Sequence, residues 1–358
     1  MHTSTGTHTY EALSKFMSLA PQQFDHQAKN EIESFFSDCK EGMDTDSEKL
    51  LATLLLKALN QRINSEYIGE NIYLGRYETS QIQLFNILIE KFPFVRFSQQ
   101  IVNAAIVEAM QGAEEVTLID IGIGQGTQML NVVERAKGLT ELKRLHIVGI
   151  EPFGEALAKA GETLLACNGQ VPFEIRFTAI HDSVENMDFA ALQNLGGKVI
   201  VNASLALHHI QSGEQRTATI AKIRQIKPDA FLLIEPNVNH YEPDFFARFR
   251  NCYHHFYSIF QVIDRLENTA DVDKNALKLF FGREIEDIIG KEEKDRYERH
   301  EPAAHWISRL RENRFTLKND FLKSPVEPGC GVEIAYHKEG FLGFTFQQET
   351  VLAVMYAN

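Results

Sequence analysis

The sequence has few cysteines, and their spacing excludes two classes of small scaffold. Cys39, Cys167, Cys252 and Cys330 are the four in 358 residues, and no two of them form a CxxC pair. Such spacing disfavours a disulfide framework and a cysteine-based zinc site, and it fits a reducing compartment. We therefore expect a cytoplasmic protein.

The chain also has no long hydrophobic run and no excess of positive charge. The first thirty residues are polar and lack the apolar core of a secretory leader. No run of about 18 apolar residues is present that would span a membrane. There are 36 Lys and Arg against 49 Asp and Glu, a net charge of −13. A small-molecule partner is therefore favoured over a membrane, and nucleic-acid binding is disfavoured.

The composition is that of a globular protein, with 44% hydrophobic and 24% charged residues. The length exceeds one typical domain of roughly 100–200 residues, which predicts a core domain with an accessory region. Leu51, Leu54, Leu55 and Leu59 are at helical spacing, and similar stripes recur up to residue 112. We therefore predict an α-helical cap over residues 1–112.

Short apolar runs alternate with helical patterns after this cap. Strands are predicted at Val116–Asp120, His146–Glu151, Phe173–Thr178, Lys198–Asn202 and Ala230–Glu235. This alternation predicts an α/β domain over 113–358, with a parallel sheet covered by helices on both faces.

The C-terminal part refines this prediction. Residues 243–315 are mostly helical and form an insert after the fifth strand. Phe341–Gln348 and Thr350–Tyr356 then predict an antiparallel hairpin. A parallel series that ends in such a hairpin is typical of a Rossmann-like class I methyltransferase fold with a mostly parallel, seven-stranded sheet.

A glycine-rich loop follows the first predicted strand and leads into a helix. It begins at Asp120 and contains Gly122, Gly124 and Gly126, in the pattern DxGxGxG. A dinucleotide loop would have GxGxxG, which disfavours an NAD-type oxidoreductase. An acid before the glycines suits a cofactor with a cationic amine and no phosphate, such as S-adenosylmethionine. The alternative is that the glycines only form a tight strand–helix turn.

Further polar residues follow the second and third strands. Glu151 ends the second strand, where a carboxylate can accept both ribose hydroxyls, although it lies 29 residues after Gly122 rather than the roughly 20 expected. His181 and Asp182 are expected to face the adenine amine, and Asp182 has the alternative of capping a helix. The predicted cofactor-binding set is Asn103, Asp120, Gly122, Gly124, Gln125, Gly126, Glu151, Pro152, His181, Asp182, Asn202 and Ser204.

Histidines and an acid at the ends of strands four and five are the candidate catalytic residues. Ligands of such sheets lie at the carboxyl ends of the strands. His208 is the first candidate for a base that removes a proton from the methyl acceptor, and Glu235 or His240 is next. Each histidine has the alternative of a hydrogen-bonded structural role. Adjacent His208 and His209 are expected to project in different directions, so no metal site is predicted.

The insert contains an aromatic run between residues 245 and 260 at helical spacing. One interpretation is core packing, and the other is an apolar wall over the acceptor site. Under the second interpretation the predicted substrate-binding residues are Asn237, Tyr253, Tyr257, His300 and Trp306.

Several motifs together resemble the GRAS family in its bacterial type, over about residue 92 to the C-terminus. Val116–Asp120 stands where that family has its VHIID segment, and Leu205–His209 is similar to its leucine–histidine element. Glu235–Asn237 and the charged segment around His300 resemble later blocks. The terminal SAW element of the family is eroded here.

The resemblance implies a Rossmann-like methyltransferase fold with a helical cap, and a homodimer. Plant members of the family are nuclear transcriptional regulators, and bacterial members have been suggested to be small-molecule methyltransferases. Plant members typically lose the loop glycines that this chain keeps. We therefore predict a methyltransferase acting on a small apolar or amphipathic molecule in a cap-covered cleft. The alternative is a non-catalytic module that acts as a transcriptional regulator, ligand sensor or scaffold.

Overall fold

A computed structural model describes residues 5–19, 26–63, 81–192, 196–323 and 326–358. Over these ranges no helix is both long and apolar enough to cross a membrane.

Five helices precede the first strand: α1 (Thr5–Leu19), α2 (His26–Gly42), α3 (Ser47–Ile63), α4 (Gln81–Glu90) and α5 (Pro93–Met110). Pro93 begins α5, where its fixed φ suits a first helical residue and its missing N–H costs nothing. The predicted leucine stripe is buried in α3. Helical structure in this region is confirmed within the described residues.

The five predicted strands are confirmed, and helices alternate with them. The elements are β1 (Glu115–Ile121), α6 (Thr127–Ala136), β2 (Arg144–Ile150), α7 (Gly154–Leu165), β3 (Glu174–Ile180), β4 (Lys198–Ser204), α8 (Gly213–Gln225) and β5 (Ala230–Pro236). The strands are parallel in the order β3-β2-β1-β4-β5. The strand order therefore reverses between β1 and β4, which opens a crevice at their carboxyl ends.

The C-terminal part supplies helices and the antiparallel side of the sheet. Its elements are α9 (Phe245–Asp264), α10 (Asp271–Ile285), a π-helical turn (Glu286–Gly290), α11 (Ala303–Glu312), β6 (Leu317–Lys318), β7 (Val332–His337), β8 (Phe341–Phe346) and β9 (Glu349–Ala357). The predicted hairpin is β8 and β9, and β9 lies antiparallel to β5.

The prediction of seven strands is wrong, because nine are present in the described residues. β7 forms the outer edge beside β8, and only its first residue, Val332, is buried. A mostly solvated edge strand has no strong apolar pattern, so sequence analysis missed it. β6 is too short for any periodicity to show.

Apolar packing lies on both faces of the sheet. On one face α5 packs against β4, β5 and β9, and the N-terminal helices α1 and α3 pack against α9. On the other face Trp306 of α11 is buried with residues of α8 and β9. The insert and the N-terminal helices therefore form one helical layer, and α3 also contacts the π-helical turn.

Candidate functional site

All three loop glycines have a left-handed backbone, with φ of +74° at Gly122, +53° at Gly124 and +82° at Gly126. A Cβ at Gly122 would lie 2.8 Å from Cβ of Ala206, and one at Gly126 would lie 3.2 Å from Cβ of Ala160. A Cβ at Gly124 would meet no atom within 4 Å. The tight-turn interpretation therefore explains Gly122 and Gly126, while Gly124 borders open space.

Glu151 ties the glycine loop to the end of β2. Its Oε2 accepts a hydrogen bond from the Gly124 N–H at 2.9 Å, and its Oε1 accepts one from the Phe153 N–H at 3.2 Å. Glu151 is only 7% exposed. Each carboxylate oxygen has two lone pairs, so each retains capacity for one further donor.

Asp120 lies at the end of β1 beside the end of β4. The Nδ2 of Asn202 donates to its Oδ1 at 2.7 Å and lies 3.3 Å from Oγ of Ser204. Burial raises the pKa of Asp120 to about 7, against the opposing Asn202 hydrogen bond. Asn103 is buried in α5, where its Oδ1 accepts from Nε2 of Gln128 at 2.9 Å. The structure thus brings Asp120, Asn202 and Ser204 together, and Asn103 links α5 to α6.

The other predicted cofactor residues lie at the solvent-exposed rim. The His181 ring Nε2 lies 2.9 Å from the carbonyl oxygen of Pro152. Oδ1 of Asp182 accepts from the Ser183 N–H at 2.7 Å, so Asp182 stabilises a local turn. Gln125 is exposed.

His208 and Glu235 form a buried pair between the ends of β4 and β5. Nδ1 of His208 lies 2.6 Å from Oε2 of Glu235, and the Leu207 N–H donates to Oε1 at 2.8 Å. Burial raises the pKa of Glu235 to about 7 and holds that of His208 well below its usual range, with the His300 charge adding to the latter effect. The pair therefore holds a neutral imidazole in a fixed orientation against a carboxyl group.

Four further histidines extend this pair into a ring cluster. The His208 ring centroid lies 4.1 Å from that of His209 and 4.8 Å from that of His300. His240 lies 5.0 Å from His300 and 5.8 Å from His255. Neither ring nitrogen of His240 has a hydrogen-bond partner among the described residues. Burial, followed by the charges of His300 and His255, holds the pKa of His240 well below its usual range.

The expected divergence of His208 and His209 is wrong. Both belong to a 3-10 turn, Leu207–His209, rather than to an extended strand in which neighbours alternate. Their rings are close enough that nitrogen atoms of both lie within 4.8 Å of a Glu298 oxygen.

An ion-pair network supports the cluster from the other face of the sheet. Arg216 of α8 is fully buried and donates through Nη2 to the His208 carbonyl oxygen, while its Nη1 lies 2.9 Å from Oε2 of Glu301. Arg309 binds Glu301 with both Nη atoms at 2.7 and 2.8 Å. Trp306 is buried, with the guanidinium carbons of Arg216 and Arg309 each 5.3 Å from its ring centroid.

The predicted substrate-binding residues are placed apart from one another. His300 joins the histidine cluster, whereas Tyr253 packs against Tyr10 of α1 with centroids 4.8 Å apart. Tyr257 stacks beside Tyr253 at 5.9 Å. Asn237 joins backbone segments, because its Nδ2 donates to the Thr350 carbonyl and its Oδ1 accepts from the Ala303 N–H. Their substrate roles stay predictions.

Sequence reasoning did not assign Arg216, His255, Glu284 or Glu298 to a site, although Glu284 and Glu298 belong to the charged segments that resemble late blocks of the family. They come from α8, α9, the end of α10 and the segment before α11. No spacing pattern connects them, and only a surplus of charged residues within a buried insert hinted at a polar interior.

Comparison with known proteins gives a consistent family assignment. A model of the GRAS domain family matches residues 18–320. The chain is 27% identical over 272 residues to the DELLA protein RGL1 of Arabidopsis thaliana, covering 73% of this chain and 51% of that protein. It is 28% identical over 302 residues to the Scarecrow-like transcription factor PAT1 of Arabidopsis thaliana, covering 76% and 61%. The chain thus spans between half and two thirds of the length of these relatives.

The fold has a close counterpart among solved structures. The crystal structure of SCL7 from Oryza sativa superposes with a TM-score of 0.81 at 18% identity, covering 98% of this chain and 99% of that one. At this level of identity the match shows a shared fold.

Proposed function

Because the chain belongs to the GRAS domain family, we propose that it is a member of that family that binds S-adenosylmethionine at the carboxyl ends of β1 and β2 and transfers its methyl group to a small apolar or amphipathic acceptor. The observation that carries this proposal is the loop geometry. Gly124 has a left-handed backbone and free space where a Cβ would lie, directly beside Glu151. That space lies next to the Glu151 carboxylate, where the ribose of the cofactor would bind.

The residues present fit such a cofactor. Glu151 would accept the two ribose hydroxyls with the acceptor capacity that its two backbone hydrogen bonds leave. Asp120 would attract the cationic amine, and the rim residues His181 and Asp182 would contact the adenine. When bound, the cofactor supplies an electrophilic methyl group on a sulfonium.

On the acceptor side, His208 would take a proton from the attacking atom. Its Nδ1 is occupied by Glu235 at 2.6 Å, which leaves Nε2 for the acceptor. Glu235 would orient the ring and stabilise the charge that the ring gains. Methyl transfer otherwise requires mainly positioning, which the cleft between the strand ends and the insert would supply.

Calorimetric titration with S-adenosylmethionine and S-adenosylhomocysteine tests the cofactor step. We expect micromolar binding to the wild type and its loss in Gly124→Arg and Glu151→Ala. Gly169→Arg is a matched control, because Gly169 also has positive φ, +83°, and no atom within 4 Å of the place where a Cβ would lie. Wild-type protein that binds neither compound, or equal loss in the Gly169 variant, would contradict the proposal.

The curated relatives favour a second function, transcriptional regulation, over methyl transfer. PAT1 is named a transcription factor, and in this chain the Glu151 carboxylate already accepts hydrogen bonds from the backbone N–H groups of Gly124 and Phe153. If titration of the folded protein with S-adenosylmethionine gives no heat, the better-supported function is therefore a non-catalytic regulatory module that binds a protein partner.

The compact basic group Arg309, Arg311 and Arg314 is poorly suited to bind DNA, since Arg309 is paired with Glu301. A salt-sensitive shift of DNA in a gel would contradict that last point.

A further inference from the structure

A cavity of about 510 Å³, lined mainly by charged residues, opens beside the histidine cluster. It lies where the end of α10 and the π-helical turn face α3 and the segment before α11. Four acids and two cations contribute to its lining, which consists of Gln61, Arg283, Glu284, Glu286, Asp287, Lys291, Tyr297 and Glu298.

Two of the four acids are already neutralised. Glu286 Oε1 lies 2.7 Å from Nζ of Lys57. Asp287 pairs with Lys291 through Oδ1. Its Oδ2 accepts hydrogen bonds from the Tyr297 N–H at 2.7 Å and the Glu298 N–H at 2.6 Å. These acids therefore serve the structure and have little capacity for a ligand.

The remaining two acids converge on one imidazole. Nε2 of His300 lies 3.3 Å from Oε2 of Glu298 and 3.9 Å from Oε2 of Glu284. Within the described residues neither acid forms an ion pair with lysine or arginine, and Arg283 pairs with neither. His300 is 2% exposed and its Nδ1 has no hydrogen-bond partner. Among the described residues these two carboxylates are therefore the ionic partners of its Nε2, while its ring also contacts the rings of His208 and His240.

The backbone holds this arrangement in place. Glu284 is in the last turn of α10, and the π-helical turn Glu286–Gly290 follows it directly. Asp287 of that turn binds the backbone N–H of Glu298, which places Glu298 opposite Glu284. π-helical turns are rare and occur frequently at functional sites.

We propose that Glu284, Glu298 and His300 bind a divalent first-row transition-metal ion. One ligand atom from each lies within 4.8 Å of the others, so small side-chain adjustments would bring all three onto one ion. Two carboxylates and one imidazole suit Mn²⁺, Fe²⁺, Co²⁺ or Zn²⁺ better than Mg²⁺ or Ca²⁺, which prefer oxygen ligands alone. The cavity leaves room for water or a substrate at the remaining coordination positions. This site does not depend on binding of S-adenosylmethionine.

A second set of possible ligands shares Glu298 and consists of His208, His209 and Glu298. His208 is already bonded to Glu235 through one nitrogen, and Glu298 is the one member of this set that lines the cavity. In the other set both carboxylates, Glu284 and Glu298, line the cavity, which is why we assign the site to Glu284, Glu298 and His300.

Titration of the chelator-treated protein with Co²⁺ tests the assignment, with visible absorption and calorimetry as readouts. We expect one ion per chain and loss of at least about 10-fold in affinity for Glu284→Gln and His300→Gln, because even residues that only orient ligands contribute about 10–100-fold. Bound ion should also raise the melting temperature of the wild type.

Two control variants make the result specific. Glu286→Gln removes a negative charge from the same cavity without removing a proposed ligand, and His209→Gln removes a ligand of the competing set. Both are expected to change affinity by less than about 2-fold. Equal weakening by Glu286→Gln would show diffuse acidic attraction, and loss with His209→Gln but not with Glu284→Gln would place the ion elsewhere. Either result, or a wild type that binds no Co²⁺, overturns the proposal, and circular dichroism identifies any variant that fails to fold.

Discussion

Nδ1 of His208 lies 2.6 Å from Oε2 of Glu235, and both side chains are almost completely removed from solvent. The same carboxylate accepts the Leu207 N–H. One acid thus satisfies a ring nitrogen and a backbone donor at the ends of adjacent strands. An unpaired buried polar group is costly, so this acid is expected to contribute to stability as well as to ring orientation.

Glu235→Ala is therefore expected to lower the free energy of unfolding by about 3 kcal/mol, since each buried polar group left without its partner costs about 1–3 kcal/mol. The loss arises because the His208 nitrogen and the Leu207 N–H both lose their partner. Urea denaturation measures it. Glu339→Ala, at an exposed position, is the control and is expected to change little. Similar stability of the two variants would show that water replaces the carboxylate.

Asp120 makes stability depend on pH. The native chain keeps its proton up to a pH of about 7, whereas the ordinary pKa is 3.8, because burial and then the charge of Glu151 raise the pKa against the Asn202 hydrogen bond. Between these values the native state binds more protons than the unfolded state, so the free energy of unfolding falls as pH rises. The slope from this group is at most about 1.4 kcal/mol per pH unit.

Asp120→Asn removes this group and is expected to flatten that slope. Glu235 also has a raised pKa of about 7 and contributes in the same direction, so the informative quantity is the difference between wild type and variant. Between about pH 4 and about pH 7 the free energy of unfolding of the variant should therefore rise relative to that of the wild type. Urea denaturation at several pH values measures it, and a difference that stays constant would mean that Asp120 is ionised throughout.

Gly126 is expected to tolerate alanine poorly. Its φ is +82°, and an added Cβ would lie 3.2 Å from Cβ and 3.3 Å from Cα of Ala160, where α6 begins against α7. Gly169→Ala shares the backbone strain, with φ of +83°, but meets no neighbour. We expect about 1 kcal/mol of loss at Gly169 from strain alone and at least about 1 kcal/mol more at Gly126 from overpacking. Equal melting temperatures would show that α7 moves away freely.

Glu301 is expected to be the most sensitive acid on the α8 and α11 side. Arg216 is fully buried and Arg309 is bound through both Nη atoms, so Glu301→Gln leaves two cations facing a neutral amide. We expect a loss of about 3 kcal/mol in the free energy of unfolding. Glu312→Gln on the exposed surface of α11 is the control. A loss below about 1 kcal/mol, as for exposed pairs, would indicate that solvent reaches Arg216.

Local patterns in the sequence were sufficient for the parallel half of the fold. Apolar runs such as Val116–Asp120 predicted β1 to β5, because a strand buried on both faces needs consecutive apolar residues. The glycines of the loop were equally informative, since three closely spaced glycines after a strand predicted a tight turn, and all three have a left-handed backbone. These features depend on near neighbours along the chain, and so the sequence by itself determined them.

The polar interior was decided only by the tertiary structure. His208, His240, His255 and His300 lie in four separate segments, and no periodicity shows that their rings meet. Even adjacent His208 and His209 were judged wrongly, because a 3-10 turn brings their rings together. Periodicity reports whether a residue is buried, whereas its partner depends on how distant elements pack. The sequence marked the segments of Glu284 and Glu298 as charged blocks, but only the tertiary structure shows that both acids approach His300.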